Sequence, residues 1–96
     1  MLTAEQALSI ALDSVKERAE AGKAKAHEAL KTLESCIMHN AKLGLTSTEV
    51  FPIRLFTFDS PEERNAYITE LLAILDQCGY RTEYNVSSQI IQISWA

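Results

Sequence analysis

The sequence predicts an α+β fold: two N-terminal helices, then a β-α-β-β run whose three strands form one sheet. Three observations carry this. Apolar residues recur at helical spacing through the first 43 residues. A second helical run, with its own start and stop signals, occupies Ser60 to Gly79. Around it, stretches beginning at Val50 and Tyr80 alternate in the two-residue period of strands.

The first helix opens on Thr3-Ala-Glu-Gln6, a capping box in which Thr3 accepts from the third amide and Gln6 reaches back. Leu2 before it suits a hydrophobic staple. Leu8, Ala11, Leu12, Val15 and Ala19 then form one apolar stripe. From Lys16 to Ala29 no apolar side chain exceeds alanine, although strong helix formers abound. A second stripe follows in Ala26, Leu30, Leu33, Ile37, Met38 and Ala41, and Gly44 is placed as the closing glycine with Leu45 after it. Gly22 interrupts the run, at a local cost of about 1 kcal/mol. Two geometries are open. The helices hinge at Gly22, or one helix runs from about Ala4 to Leu43. The single helix would be about 60 Å long. It would overhang a domain whose expected radius of gyration is about 13 Å, and would need a partner chain. The hinged form is the expectation carried forward.

Val50 to Phe58 alternates Phe51, Ile53 and Leu55 with Pro52, Arg54 and Phe56, and reads as a strand. Pro52 has no amide to donate, which places it at the strand start or on an edge. Ser60-Pro61-Glu62-Glu63 is a helix start: Ser60 caps, Pro61 takes the first helical position and Glu63 closes the box. Ile68, Leu71, Leu72 and Leu75 make the buried stripe, flanked by Tyr67 and Ile74. Gly79 ends the helix and Tyr80 packs back. Tyr80, Thr82, Tyr84 and Val86 alternate with Arg81, Glu83 and Asn85. After Ser87-Ser88, Ile91, Ile93 and Trp95 alternate with Gln92 and Ser94, giving a hairpin. The apolar last strand belongs in the centre, so the predicted order is β1-β3-β2, counted along the chain, with the helices on one face. Phe56, Phe58 and Ile90 are candidates for the opposite, partly exposed face, which oligomerisation would cover. The chain is one domain, 1–96, with a helical part at 3–43 and a β-α-β-β part at 50–96.

With 96 residues there is room for a single core. Hydrophobic residues at 47% and charged residues at 23% argue against disorder. The net charge of −4 disfavours bulk binding to nucleic acid. Charge is uneven: residues 1–43 balance six basic against six acidic side chains, whereas 44–96 hold three against seven. No apolar run is long enough for a membrane helix, and the N-terminus lacks the basic and apolar regions of a signal peptide. The expectation is a cytoplasmic protein without membrane association.

Candidate chemistry is sparse. Cys36-Ile-Met-His39 has the spacing of half a zinc site, with Cys78 and His27 as conceivable further ligands, but no Cys-x-x-Cys accompanies it. The simpler reading is two reduced, helix-borne cysteines. A Cys–His nucleophile pair lacks an oxyanion hole and an orienting group. Asp13, Glu17 and Glu20 read as a solvated face. No glycine-rich phosphate loop is present. We therefore expect no catalytic residue, no metal and no cofactor. The best anion-binding candidates are Lys23, Lys25, His27 and Lys31 on the helical half, with Arg54 and Arg81 as phosphate forks on the strands and Tyr84 as a base-stacking ring.

Three stretches together resemble the layout of small proteins encoded by tailed phages: Leu2-Thr-Ala-Glu-Gln-Ala-Leu8 opening an amphipathic helix, Ala41-Lys-Leu-Gly44 closing one before a strand, and Leu71-Leu-Ala-Ile-Leu-Asp-Gln-Cys-Gly-Tyr80 leading to strands that end Ile91-Gln-Ile-Ser-Trp95. The resemblance covers Lys31 to Ala96 and is one of layout, with no active-site motif. Such proteins include structural accessory subunits and inhibitors of host defence, among them oligomers that sequester nucleotide signals. The resemblance implies a non-enzymatic, homo-oligomeric binding protein acting in the cytoplasm of an infected host. Its ligand would be a small nucleotide or a host defence protein. The alternative is a structural or assembly accessory subunit of a phage particle.

Overall fold

A computed structural model describes the whole chain, Met1–Ala96. The elements run α1 (Ala4–Lys42), β1 (Ser47–Val50), a 3-10 turn (Pro52–Leu55), α2 (Pro61–Gln77), β2 (Arg81–Asn85) and β3 (Ile90–Ser94).

The expected hinge at Gly22 does not exist: α1 is one continuous helix of 39 residues. The reason lies in α2. A Cβ on Gly22 would collide with the backbone carbonyl oxygen of Glu63 and stand 3.0 Å from both the Ala66 Cβ and the Tyr67 nitrogen. At Gly22 the main chain of the second helix comes too close for a side chain, and the strong helix formers around it carry the helix through. Its capping box forms as read: Thr3 Oγ1 accepts from the Gln6 amide, and Gln6 Oε1 accepts from the Thr3 amide. Both helices end in a Schellman motif. Gly44 at φ +82° donates to Ala41 and Leu45 donates to Asn40, while Gly79 at φ +90° donates to Asp76 and Tyr80 donates to Leu75.

The sheet has the expected order β1-β3-β2 and is antiparallel throughout. The first strand, however, is not Val50 to Phe58. It is Ser47–Val50, and the predicted stretch turns into the 3-10 helix with Pro52 in its first turn. A residue without an amide suits that position better than a ladder. The apolar alternation beyond Pro52 belongs to chain that packs on α2. Phe56 and Phe58 meet the Tyr67 ring at 5.7 and 4.9 Å between centroids, and neither lies on the sheet. Of the three residues assigned to an exposed sheet face, only Ile90 is on a strand.

Register sorts the two sheet faces. Thr48, Ile93 and Thr82 align across the strands, as do Val50, Ile91 and Tyr84. Thr48, Val50, Ile91 and Ile93 are buried. The opposite face carries Glu49, Gln92 and Glu83 in one row and Ser47, Ser94 and Arg81 in another, so it is polar. Ala26, Ala29 and Leu33 of α1 and Tyr67, Ile68, Leu71 and Leu75 of α2 complete a single core cluster with Val50, Ile91 and Ile93. Each large side chain buried there contributes about 1.5–3 kcal/mol. The Tyr67 hydroxyl donates to the Pro52 carbonyl at 2.7 Å, which fastens the turn to the core.

Candidate interaction surface

The two helices align in the same sense. Arg18 lies 3.9 Å from Glu62, Lys25 pairs with Glu63, and His27 lies 4.0 Å from Glu70. The start of α2 therefore sits beside residues 18 to 25 of α1. Everything N-terminal to that extends past the body. The molecule measures 63 × 24 × 18 Å, with a radius of gyration of 16.5 Å against the roughly 13 Å of a globule this size.

This free arm is apolar on a defined side. At 3.6 residues per turn, Leu8, Ala11, Val15 and Ala19 continue the stripe that Gly22, Ala26, Ala29 and Leu33 bury against the body. Leu12 borders it. In the body that stripe is covered; on the arm Leu8 is 60%, Leu12 61% and Val15 46% exposed. One helix thus carries one apolar face, half of it spent on the fold and half left in solvent. Monomeric proteins rarely leave contiguous apolar surface of this kind in solvent. The stripe itself was legible in the sequence. Its exposure depended on where α2 begins to cover α1, which no local pattern states.

The predicted anion-binding residues fall in several places. Lys25 is half-buried, and its Nζ is held by the Glu63 carboxylate and by the Thr57 carbonyl at 2.8 Å, with the Phe58 ring centroid 5.2 Å away. Glu63 is 2% exposed. The Lys25 hydrogen bond holds its carboxyl below the usual carboxylate range, against the opposing effect of burial. This pair is the one strongly built electrostatic feature of the molecule. Sequence had used Glu63 only to close a capping box. Its amide does accept that role, donating to Ser60 Oγ at 3.2 Å, but its side chain turns to Lys25 and to the Asp59 amide.

Lys23, His27 and Lys31 are exposed on α1. Arg54 lies over the Phe51 ring, 4.3 Å from its centroid, and borders a hollow of about 300 Å³ with Leu33, Cys36 and Leu55. Arg81 borders a different hollow, of about 290 Å³, with Glu83, Gln92 and Ser94. Tyr84 borders a third hollow, of about 620 Å³, together with Glu49, Glu83 and Gln92. Lys25 is thus brought together with an acid, and the two arginines with different surfaces. Cys36 and Cys78 are both free thiols, the first half-buried and the second exposed at the end of α2. No three side chains among His, Cys, Asp and Glu come together in a metal-holding cluster. No helix is long and apolar enough to cross a membrane.

Comparison with protein families, with curated proteins and with solved structures finds no match to this chain.

Proposed function

We propose that this chain is a non-enzymatic binding protein that works as an assembly of its own copies, joined through the free arm of α1. Both helices cover one face of its sheet, and the polar face opposite is left for a target. The observation that carries this reading is the exposure of Leu8, Leu12 and Val15 on the arm beside a stripe whose continuation is buried in the body.

The layout resemblance to small tailed-phage proteins supports a target in an infected host, and a host defence protein is favoured over a nucleotide signal. A nucleotide needs convergent cations. Here Lys25 is engaged by Glu63, and Arg54 and Arg81 border separate hollows. The polar sheet face carries Glu49 and Glu83 flanking Gln92 against a single cation, Arg81, and this acidic balance suits a basic protein surface.

The test is a native mass spectrum of freshly purified, unheated protein. The expected result is a closed oligomer with no added mass. A monomer at every accessible concentration overturns the assembly reading. An oligomer retaining a few hundred daltons per chain overturns the protein-target reading in favour of a sequestered small molecule.

A further inference from the structure

We infer that the occupant of the free arm is the same arm of a second copy, packed antiparallel across a two-fold axis between Ala11 and Leu12. This rests on the reading of the arm as a docking surface and adds its partner, direction and register.

The uncovered stripe runs from Ala4, the first residue of α1, to Ala19, half-buried where α2 begins to close over the helix. Its midpoint falls between Ala11 and Leu12. An antiparallel pair centred there uses the whole stretch of both copies. It sets Leu8 against Val15 of the second copy, Ala11 against Leu12, and Ala4 against Ala19. A larger side chain meets a smaller one at the Leu8–Val15 and Ala11–Leu12 levels, as interdigitation requires, and the alanines at the ends leave room for close approach. In each copy the start of α2 beside Arg18 and Gly22 stops the partner from sliding further.

Charge selects the same arrangement. Glu5 and Lys16 lie eleven residues apart, about three turns, and so on the same flank of the helix, next to Leu12. They are about 16 Å apart along one helix, too far to pair within a chain. In the antiparallel pair Glu5 of each copy stands beside Lys16 of the other, twice over. A parallel pair would put this flank of one copy on the opposite side of the seam from that of the other, facing the Ala7 and Ser14 flank, and would form neither pair. Flanking charges of this kind contribute little to affinity but decide orientation. Ala7 and Ser14 on the opposite flank are small and let the backbones approach. Closure by two-fold symmetry also leaves no unpaired copy of the stripe, so the contact ends at a dimer.

The test uses cross-linking between arms. In a chain carrying Cys36→Ser and Cys78→Ser, Leu8→Cys and Val15→Cys variants are made separately, mixed and mildly oxidised. The expected product is the mixed Leu8→Cys/Val15→Cys dimer in preference to either self-linked one. Charge reversal provides a second reading. Glu5→Lys alone and Lys16→Glu alone each weaken dimerisation by roughly fivefold, and the two together restore it. The Leu8, Val15, Glu5 and Lys16 substitutions lie on exposed arm residues, so a thermal melt matching that of the cysteine-free chain verifies the body. Self-linked Leu8→Cys dimers from a sample that is dimeric by mass overturn the antiparallel inference and leave the arm a docking surface. A cysteine-free chain that remains monomeric overturns both.

Discussion

Gly22 lies directly beneath the backbone carbonyl of Glu63, closer than any side-chain carbon could approach. This contact, between the middle of one helix and the first turn of the other, sets how tightly they pack. It gives a prediction whose sign separates two effects. Helix propensity alone makes Gly22→Ala stabilising by about 1 kcal/mol. The crowding is against main chain, which has no rotamer to yield, and overpacking costs about 1–3 kcal/mol. Gly22→Ala should therefore lower the thermal midpoint by several degrees. A raised midpoint would show that the helices stand further apart.

Lys25 and Glu63 should be strongly asymmetric under mutation. Lys25→Met leaves a buried carboxylate without its cation, a loss of about 2–4 kcal/mol after allowance for the partial exposure of Lys25. Replacing both, as Lys25→Met with Glu63→Gln, should recover much of it, since no charge is then stranded. Chemical denaturation of the three variants measures this. A double variant no better than Lys25→Met would refute the account.

The same pair makes stability depend on acid. The folded-state pKa of Glu63 is depressed below its ordinary value of 4.5. Its contribution is therefore complete above that value and is lost as pH falls through the lower, folded one. Melting midpoints should decline below about pH 4.5, and the decline should be shallower in Glu63→Gln. Equal slopes in the two proteins would remove Glu63 as the source.

Tyr67 is fully buried and its hydroxyl donates to the Pro52 carbonyl. Burial raises its phenol pKa. Tyr67→Phe should cost about 1–2 kcal/mol by orphaning that carbonyl, while the Phe56 and Phe58 ring contacts survive. Loss beyond that range in a denaturant titration would mean that the turn had come away from α2.

Deleting residues 1–17 removes no core side chain. The shortened chain should unfold with a stability within about 0.5 kcal/mol of its full-length monomer, as exposed changes usually do. It should sediment as a monomer at all concentrations. A body that fails to fold without the arm would contradict the division described above.

Much of the fold was legible because its signals are local. Thr3 with Gln6, Ser60 with Pro61, and the two closing glycines at 44 and 79 act through neighbours in sequence, and the hairpin was legible from alternation and the polar Ser87-Ser88 turn, whose amides both donate to Asn85 Oδ1. The failures were tertiary. Gly22 reads as a hinge because propensity assigns a value to a glycine alone, whereas the carbonyl it accommodates arrives from position 63. Val50 to Phe58 reads as a strand because its apolar residues alternate, whereas Pro52–Leu55 coils as a 3-10 turn and Phe56 and Phe58 pack on Tyr67. Only Pro52 hinted otherwise, and the true strand, Ser47-Thr-Glu-Val50, was masked by its polarity. The Lys25–Glu63 pair joins residues 38 apart, and no local pattern announces it.

The overhang of α1 separates two events that many small proteins combine. Every core residue lies between Ala26 and Ile93, so the body can reach its native state in a single isolated molecule. If the arms pair as inferred above, only the arm responds to how many molecules are near, and assembly meters the chain's own abundance: sparse copies circulate singly with a sticky rod extended, and crowded ones sheathe it. Any partner that competes for the rod does so most effectively early, before the protein accumulates.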